Sequence, residues 1–324
     1  PAGIRAFGEG AFRDCSDIRE VILPEGLEEI ADEAFAWCRN LKNITASADL
    51  ISVGIDCFKG TPFYRYYSET EENWGDFLIL GKCLVKARRN IREAIIPEGI
   101  RTIAADAFFE HVLLSHADIP ASMEKIGWRA FADCTGLRSI RVPGNVKSIG
   151  WHCFKGCSRL VLAVLEEGVE ELENGVFSGC RSLGEICLPS GIRRIPGWCF
   201  FSCQSLGRVT GCVNVKEIGD WAFSGCGNLR EFPAGKKLVR IGANAFYDCT
   251  NLDFSIPDGV KKIEKEAFSM VRAMKKVVLP AGLDFLGKAA FAGCTGLLQA
   301  EILSGPEKIG DQTFAGCISL ASLK

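Results

Sequence analysis

Hydrophobic and polar positions recur along the chain with a period of 23 residues. Thirteen phenylalanines mark this period, and the intervals between them are 23 residues except for one of 50 and one of 22. They are Phe12, Phe35, Phe58, Phe108, Phe131, Phe154, Phe177, Phe200, Phe223, Phe246, Phe268, Phe291 and Phe314. Self-similarity at a fixed period of this length is typical of a repeat protein.

The pattern within one unit predicts two short strands. In LRSIRVP, residues 137–143, Ile140 and Val142 alternate with polar residues, which is the pattern of a strand with one apolar face. Pro143 ends this first strand, because proline has no amide hydrogen to donate to a sheet ladder. A shorter second strand follows in VKSIG, residues 146–150, and its glycine suits a tight corner.

The segment around each phenylalanine predicts a short helical turn. Four apolar residues of the unit are spaced i, i+1, i+4 and i+7, which places them on one side of one or two helical turns. They are Ala130, Phe131, Cys134 and Leu137. A coil of 23 residues cannot bury these side chains alone, whereas a stack of similar coils can. We therefore expect a solenoid with an internal column of phenylalanines.

A cysteine follows the phenylalanine by three residues in ten of the units. These are Cys15, Cys38, Cys134, Cys157, Cys180, Cys203, Cys226, Cys249, Cys294 and Cys317, and the other units carry Thr61, His111 and Val271. A metal or disulfide position would not accept valine or threonine, whereas a small buried position would, and a free cysteine behaves as a small hydrophobe. The pattern predicts a column of buried thiols, with scattered disulfides as the alternative.

The motif AFxxCxxLxxIxLPxxVxxIGxxAF resembles the BspA-like leucine-rich repeats, and the leucine-rich signature is present as Leu137-x-x-Ile140-x-Val142. The resemblance covers essentially the whole chain. It implies one elongated leucine-rich repeat array over residues 1–324, a right-handed, curved solenoid of about 13 units with short parallel strands and short helical turns. It also implies a bacterial protein, secreted or displayed on the cell surface, that is associated with adhesion and not with catalysis.

The interval of 50 residues contains a departure from the repeat, residues 59–99. The run DFLILGKCLVKA, residues 76–87, predicts two strands joined by a hairpin turn at Gly81-Lys82. The segment is either a long repeat with an inserted β-hairpin or a protruding hairpin that contacts a partner, because aromatic residues are enriched in binding patches. The candidate contacts are Tyr64, Tyr66, Tyr67 and Trp74.

The charge and the apolar runs exclude two classes of partner. The net charge is −2 with both signs interspersed, so the sequence has no electrostatic footprint for nucleic acid or for an anionic membrane surface. No apolar run approaches the roughly 18 residues of a membrane span. The chain lacks an initiator methionine and a signal pattern, so we expect a trimmed product whose signal and anchor lie elsewhere.

Residues with catalytic or metal-binding chemistry do not form a recognisable motif. Among the three histidines, His111, His116 and His152, only His152 lies beside a cysteine, Cys153, and a nucleophile needs a base that reaches it across the fold. There is no Cys-x-x-Cys, phosphate-binding loop, G-x-S-x-G or H-E-x-x-H sequence. We therefore expect no catalytic residue, no cofactor and no metal.

The outward positions of the two strands differ in polarity. The second strand carries charges of both signs, and in-register coils would place Glu170-Glu171 opposite Arg193-Arg194. The first strand is less polar, and an exposed, partly apolar sheet is where a solenoid usually binds a partner. We call this surface the first-strand face. Its candidate contacts in the middle of the array are Arg141, Val164, Cys187 and Thr210.

These observations predict a non-enzymatic binding or adhesion module at the cell surface, which recognises a protein or glycan of a host or neighbouring cell. Two alternatives remain open. The array is either a structural stalk of a larger surface protein, or an intracellular protein-interaction scaffold, because abundant reduced cysteine suits a reducing compartment equally well.

Overall fold

The computed structural model describes residues 3–69, 75–303 and 309–324, with the side chains of residues 66–69 outside the description. Its strands in chain order are β1 (Ala6–Phe7), β2 (Glu20–Ile22), β3 (Glu29–Ile30), β4 (Asn43–Thr45), β5 (Ser52–Val53), β6 (Phe77–Leu80), β7 (Cys83–Ala87), β8 (Glu93–Ile95), β9 (Thr102–Ile103), β10 (His116–Asp118), β11 (Lys125–Ile126), β12 (Ser139–Val142), β13 (Ser148–Ile149), β14 (Leu162–Leu165), β15 (Glu171–Leu172), β16 (Glu185–Cys187), β17 (Arg194–Ile195), β18 (Arg208–Thr210), β19 (Glu217–Ile218), β20 (Arg240–Ile241), β21 (Lys262–Ile263), β22 (Lys276–Leu279), β23 (Phe285–Leu286), β24 (Gln299–Ile302) and β25 (Ser322–Leu323). The described residues also form one α-helix, α1 (Pro62–Glu69), and one 3₁₀ turn, Cys212–Asn214.

The strands of successive coils stack in parallel in two columns. The first strands form the sheets β2-β4, β8-β10, β12-β14-β16-β18 and β22-β24-β25, and the second strands form β1-β3-β5, β9-β11-β13-β15 and β17-β19-β20-β21-β23. Paired residues of neighbouring strands are one repeat apart, so Arg141 pairs with Val164 and Lys125 with Ser148. The chain is therefore a β-solenoid of about 13 stacked turns, which confirms the fold predicted from the period.

The phenylalanine column forms the centre of the interior. Ring centroids of neighbouring coils lie 4.6–5.9 Å apart and the rings are nearly parallel, from Phe12 to Phe58 and again from Phe108 to Phe314. Burying each side chain contributes roughly 1.5–3 kcal/mol. The stacked geometry adds to this, because offset aromatic pairs attract each other beyond their buried area.

The cysteine column lies beside the phenylalanines, and its thiols donate hydrogen bonds between coils. The Cys134 Sγ lies 3.0 Å from the Phe108 carbonyl oxygen of the preceding coil, and Cys157 and Cys180 repeat the contact at 3.1 Å. The same carbonyl accepts a backbone N–H within its own coil, such as His111 N on Phe108 O. All sixteen cysteines lie within the described residues and are free thiols, and the ten of the column are buried except Cys15 and Cys317.

The segment around each phenylalanine is a series of tight turns, so the prediction of a helical turn is wrong in its detail. In every coil the residues two before and two after the phenylalanine have φ between 50° and 77°. In one coil these are Arg129 and Asp133, and each donates its N–H to the next coil instead of to its own. A left-handed residue cannot continue a right-handed helix, so the chain turns twice and keeps the apolar spacing.

The long unit divides the interior into two hydrophobic cores. Strands β6 and β7 form an antiparallel hairpin through Gly81-Lys82, and β7 also pairs in parallel with β9. Leu80 and Val85 pack into an N-terminal core, whereas Leu84 packs into the main core that continues to Ala300. The hairpin thus lies between the two cores and contributes side chains to both of them.

The second-strand ladder is interrupted at Pro196. Strands β15 and β17 belong to different sheets. The equivalent residues of the flanking coils, Glu173 and Gly219, donate their N–H to Ile149 O and Ile195 O, whereas proline has no N–H to donate. The predicted ladder pairing of Glu170-Glu171 with Arg193-Arg194 is therefore absent, although β15 and β17 remain neighbours in the stack.

The charges at this break pair with other partners. The Glu170 carboxylate lies 3.4 Å from Lys147 Nζ, and the Arg194 guanidinium lies 3.6 Å from Glu217.

Two candidate binding surfaces

The four predicted contacts of the first-strand face lie in one sheet. Arg141 pairs with Val164 across β12 and β14, and Cys187 pairs with Thr210 across β16 and β18. Arg141, Val164 and Cys187 are exposed, and Thr210 is half-buried. Because side chains alternate along a strand, the four project from the same side, opposite the buried Ile140 and its equivalents.

Large apolar side chains are exposed on this face. Leu162 lies on β14 between Ser139 and Glu185 and is 48% exposed. Ile22 on β2 and Ile95 on β8 are 72% and 68% exposed at the positions that correspond to Val164 in other coils. A partner that covered them would remove apolar area from water, at roughly 25 cal/mol per Å².

Arg141 has an ion-pair partner on the same face. Its Nε donates to the Glu166 carboxylate at 2.6 Å, and this hydrogen bond holds the pKa of Glu166 below its usual value. Glu166 also accepts the N–H of Gly144. The guanidinium is therefore held in one orientation while most of its side chain remains in solvent.

Only one of the aromatic candidates in the long unit has a described side chain. Tyr64 on α1 is half-buried against the N-terminal core, and the Lys86 ammonium lies 5.5 Å from its ring centroid. Burial raises the pKa of Tyr64. The side chains of Tyr66 and Tyr67 and the whole of Trp74 lie outside the described residues.

Helix α1 was not predicted from the sequence, although two residues typical of a helix start were present. Thr61 accepts the N–H of Tyr64 at its side-chain oxygen, and Pro62 is the first helical residue. Threonine at the N-cap followed by proline is a typical helix start. Thr61 therefore replaces the column cysteine with a capping residue.

A second surface is a cleft of about 930 Å³ on the side of the second strands, which the sequence did not predict. We call it the second-strand cleft. It is lined by residues from Glu9 to Ile55 in the first coils and by residues from Thr102 to Glu173 beyond the long unit. Because coils this far apart line one cavity, the second-strand face is concave here.

Glycines keep the cleft open. Gly127 and Gly150 follow second strands, and a Cβ on either would lie 2.7–2.8 Å from backbone atoms of the preceding coil. The same holds for Gly54, at 2.4 Å from Ala31. No side chain is tolerated there, so the cleft runs between the outward strand residues and the tryptophans Trp128 and Trp151.

The residues with catalytic chemistry are separated from one another or buried. Burial raises the pKa of the Cys153 thiol well above its usual value and lowers that of His152. His111 is buried with its ring nitrogens 3.2 Å from the Phe109 and Ala87 carbonyls, and burial lowers its pKa too. His116 is exposed beside Asp118 on β10.

The described residues contain neither a metal-binding cluster nor a membrane-spanning helix. No group of three or more His, Cys, Asp or Glu side chains is arranged to hold a metal ion. In the same residues, no helix combines the length and apolar character required to cross a lipid bilayer.

The family model of the BspA type leucine rich repeat region matches this chain in six copies, over residues 1–103, 79–207, 124–253 and 239–324. The chain belongs to the BspA-type leucine-rich repeat family. A leucine rich cell surface protein from Faecalibacterium prausnitzii is 26% identical, with a TM-score of 0.58 over 78% of this chain and 82% of that one.

A leucine-rich repeat protein from Bacteroides ovatus is 28% identical, with a TM-score of 0.53 over 93% of this chain and 77% of that one. No curated protein matches this chain. The BspA-type array thus has the fold of bacterial surface-type repeat proteins.

Proposed function

We propose that this BspA-type array is a non-enzymatic module, secreted or displayed on a bacterial surface, that binds a protein or glycan of a host or neighbouring cell through its first-strand face. The observation that carries the proposal is the outward row of Arg141, Val164, Cys187 and Thr210 on one in-register sheet, of which the first three are exposed. The residues that the coils share are buried, so those that differ between coils form the surface that a partner meets.

The composition of the row supports binding. Val164 and Leu162 supply apolar area, and Arg141 supplies a charged group fixed by Glu166. Arginine surrounded by apolar side chains is typical of the residues that contribute most to protein interfaces. The similarity to a leucine rich cell surface protein supports the proposed location.

The absence of enzymatic activity is also part of the proposal. Leucine-rich repeat solenoids are typically scaffolds for binding. The buried Cys153 keeps its proton at neutral pH, and a protonated thiol is a poor nucleophile.

The test is binding of the purified array to matrix proteins, mucins and a glycan array. A Leu162→Asp/Val164→Asp variant should weaken binding at least about tenfold, because two charges would be desolvated in an apolar contact. The matched control is Val239→Asp/Phe285→Asp, which adds the same two charges at exposed apolar positions outside the first-strand face. Equal effects of both variants, or no binding by the unmodified array, would contradict the proposal.

A further inference from the structure

We propose that the second-strand cleft binds an extended, positively charged segment of a protein partner. The inference goes beyond the proposed function, because it concerns a surface on the other strand column and needs no contact with the first-strand face. Each surface carries its own variants, so one proposal can fail while the other holds.

The shape of the cleft fits an extended chain. Its volume of about 930 Å³ lies near the upper end of the range of ligand pockets, roughly 300–1,000 Å³. It crosses the coils instead of following one of them, and stacked strands are about 4.8 Å apart. Residues of seven coils line it, and strand β7 lies between the third and the fourth of them. A ligand that spans the whole cleft is therefore roughly 30–35 Å long, which an extended peptide of about ten residues matches.

The net negative charge of the cleft favours a positively charged ligand. Five carboxylates and two lysines line it. Ion pairs occupy Glu124, which bonds Arg101, and Lys147, which contacts Glu170. Among the described residues, Glu9, Glu29 and Glu173 form none of the ion pairs found. Negative charge therefore remains uncompensated in a concave site, where the walls concentrate the field.

The two tryptophans of the cleft differ in one respect that favours a cation. The Arg129 guanidinium lies 4.7 Å from the Trp128 ring centroid and 3.9 Å from that of Phe109. In the next coil His152 takes the place of Arg129, and Trp151 is 50% exposed. A lysine or arginine of a partner could therefore form with Trp151 the cation–π contact that Arg129 forms with Trp128.

Neutral and anionic ligands use this surface less well. An anion would meet the excess of carboxylates, and like charges in contact cost several kcal/mol. A neutral glycan could contact Trp151 but would leave the charge excess unused. The three carboxylates outside the ion pairs found among the described residues and the exposed indole of Trp151 therefore point to a basic segment.

The experiment is isothermal titration of the array with a peptide of about ten alternating Arg and Gly residues at low and high salt. A Glu29→Gln/Glu173→Gln variant should bind at least about tenfold more weakly, and a Trp151→Leu variant should bind severalfold more weakly. The control is Glu185→Gln/Glu231→Gln, which changes the net charge equally at exposed acidic residues outside the cleft. The control should bind as the unmodified array does.

Three outcomes would overturn the proposal. The first is equal weakening by the cleft variant and the control, which would show that only long-range charge attraction acts. The second is that the basic peptide does not bind. The third is that a neutral oligosaccharide binds and that its binding depends on Trp151. Circular dichroism of each variant establishes that the fold is intact.

Discussion

The column cysteines contribute to the contacts between neighbouring coils in two ways. A column cysteine fills space beside a phenylalanine and also donates its S–H to the carbonyl of the preceding coil, as Cys203 does to Phe177 at 3.1 Å. Valine fills the same space without donating, as at Val271, which is also buried. The column therefore depends more on volume than on the hydrogen bond, since sulfur donors are weak.

The number of exposed thiols can be measured with a thiol-reactive reagent. Cys15 and Cys187 are exposed, and Cys317 is half-buried at the end of the column, where its contact with Cys294 lowers its pKa. Three of the sixteen thiols should therefore react with a disulfide reagent at neutral pH in the native protein, and all sixteen in denaturant without reductant. Fewer than sixteen after denaturation would reveal disulfides, and rapid reaction of more than three would contradict the burial.

Alkaline pH should destabilise the array steeply. Burial raises the pKa of Cys134 and Cys203 from 9.0 to about 12, so between pH 9 and pH 12 the unfolded chain loses protons that the folded chain keeps. The stabilisation is complete below pH 9 and is lost as pH rises, by about 1.4 kcal/mol per pH unit for each such thiol.

A denaturant series at several pH values measures this slope. A Cys203→Val variant should have a free energy of unfolding that falls less steeply with pH, by about 1.4 kcal/mol per unit. A Leu206→Val variant, which alters the same core without removing a titrating group, should be less stable but keep the slope of the unmodified protein. Identical slopes in all three proteins would contradict the assigned cause.

At the scale of the element, the hairpin β6–β7 is held by a glycine that touches the preceding coil. Gly81 has φ of +59°, and a Cβ on it would lie 2.5 Å from Leu50 O and 2.7 Å from Ser47 O. The methyl group of an alanine at this position would clash with these backbone atoms, and moving them would distort the preceding coil. We expect Gly81→Ala to lower the free energy of unfolding by roughly 2–4 kcal/mol.

The control separates close contact from backbone strain. Gly99 also has positive φ, +91°, but has open space around its Cβ position, so Gly99→Ala should cost only about 1–2 kcal/mol. Thermal unfolding of both variants provides the comparison. A cost for Gly81→Ala no larger than for Gly99→Ala would mean that the contact with Leu50 relaxes.

The repeat made most elements predictable and hid some others. Ile140 and Phe131 indicated a strand and an interior column, because the same residue types recur in every coil. The apolar spacing around Phe131 suggested a helix, since spacing alone does not reveal the left-handed residues Arg129 and Asp133. Pro196 was visible in the sequence, but its effect on the ladder emerges only with the register.

The two surfaces differ in how far the sequence could reveal them. Alternation along one strand was sufficient to assign Arg141 and Val164 to an outward row. The second-strand cleft depends on the curvature of the stack, which brings Glu29 and Glu173 to one cavity although they are 144 residues apart. No local pattern contains that information.

At the scale of the whole molecule, the two hydrophobic cores should respond separately to mutation. Phe35 lies in the N-terminal core and Phe177 in the main core, and each is completely buried. Replacing either with alanine costs about 3–5 kcal/mol. In a solenoid, stability is a sum of coil and neighbour terms, so the damage stays close to the lesion.

Hydrogen exchange read by mass spectrometry tests this. Phe35→Ala should lower amide protection over residues 3–58 and leave the coils from Phe108 onward as protected as in the unmodified protein. Phe177→Ala should lower protection on both sides of its own coil within the main core. Loss of protection throughout 108–314 in Phe35→Ala would show that the hairpin transmits the damage.

The in-register stack also makes the number of coils adjustable during evolution. Most coils between Phe108 and Phe314 present nearly the same backbone edge above and below, so unequal recombination within the gene can add or remove a 23-residue block without exposing the interior. Each exchange would move a complete set of outward residues to a new height on the array. A lineage could thus vary its outer surface in blocks while its buried columns stay the same.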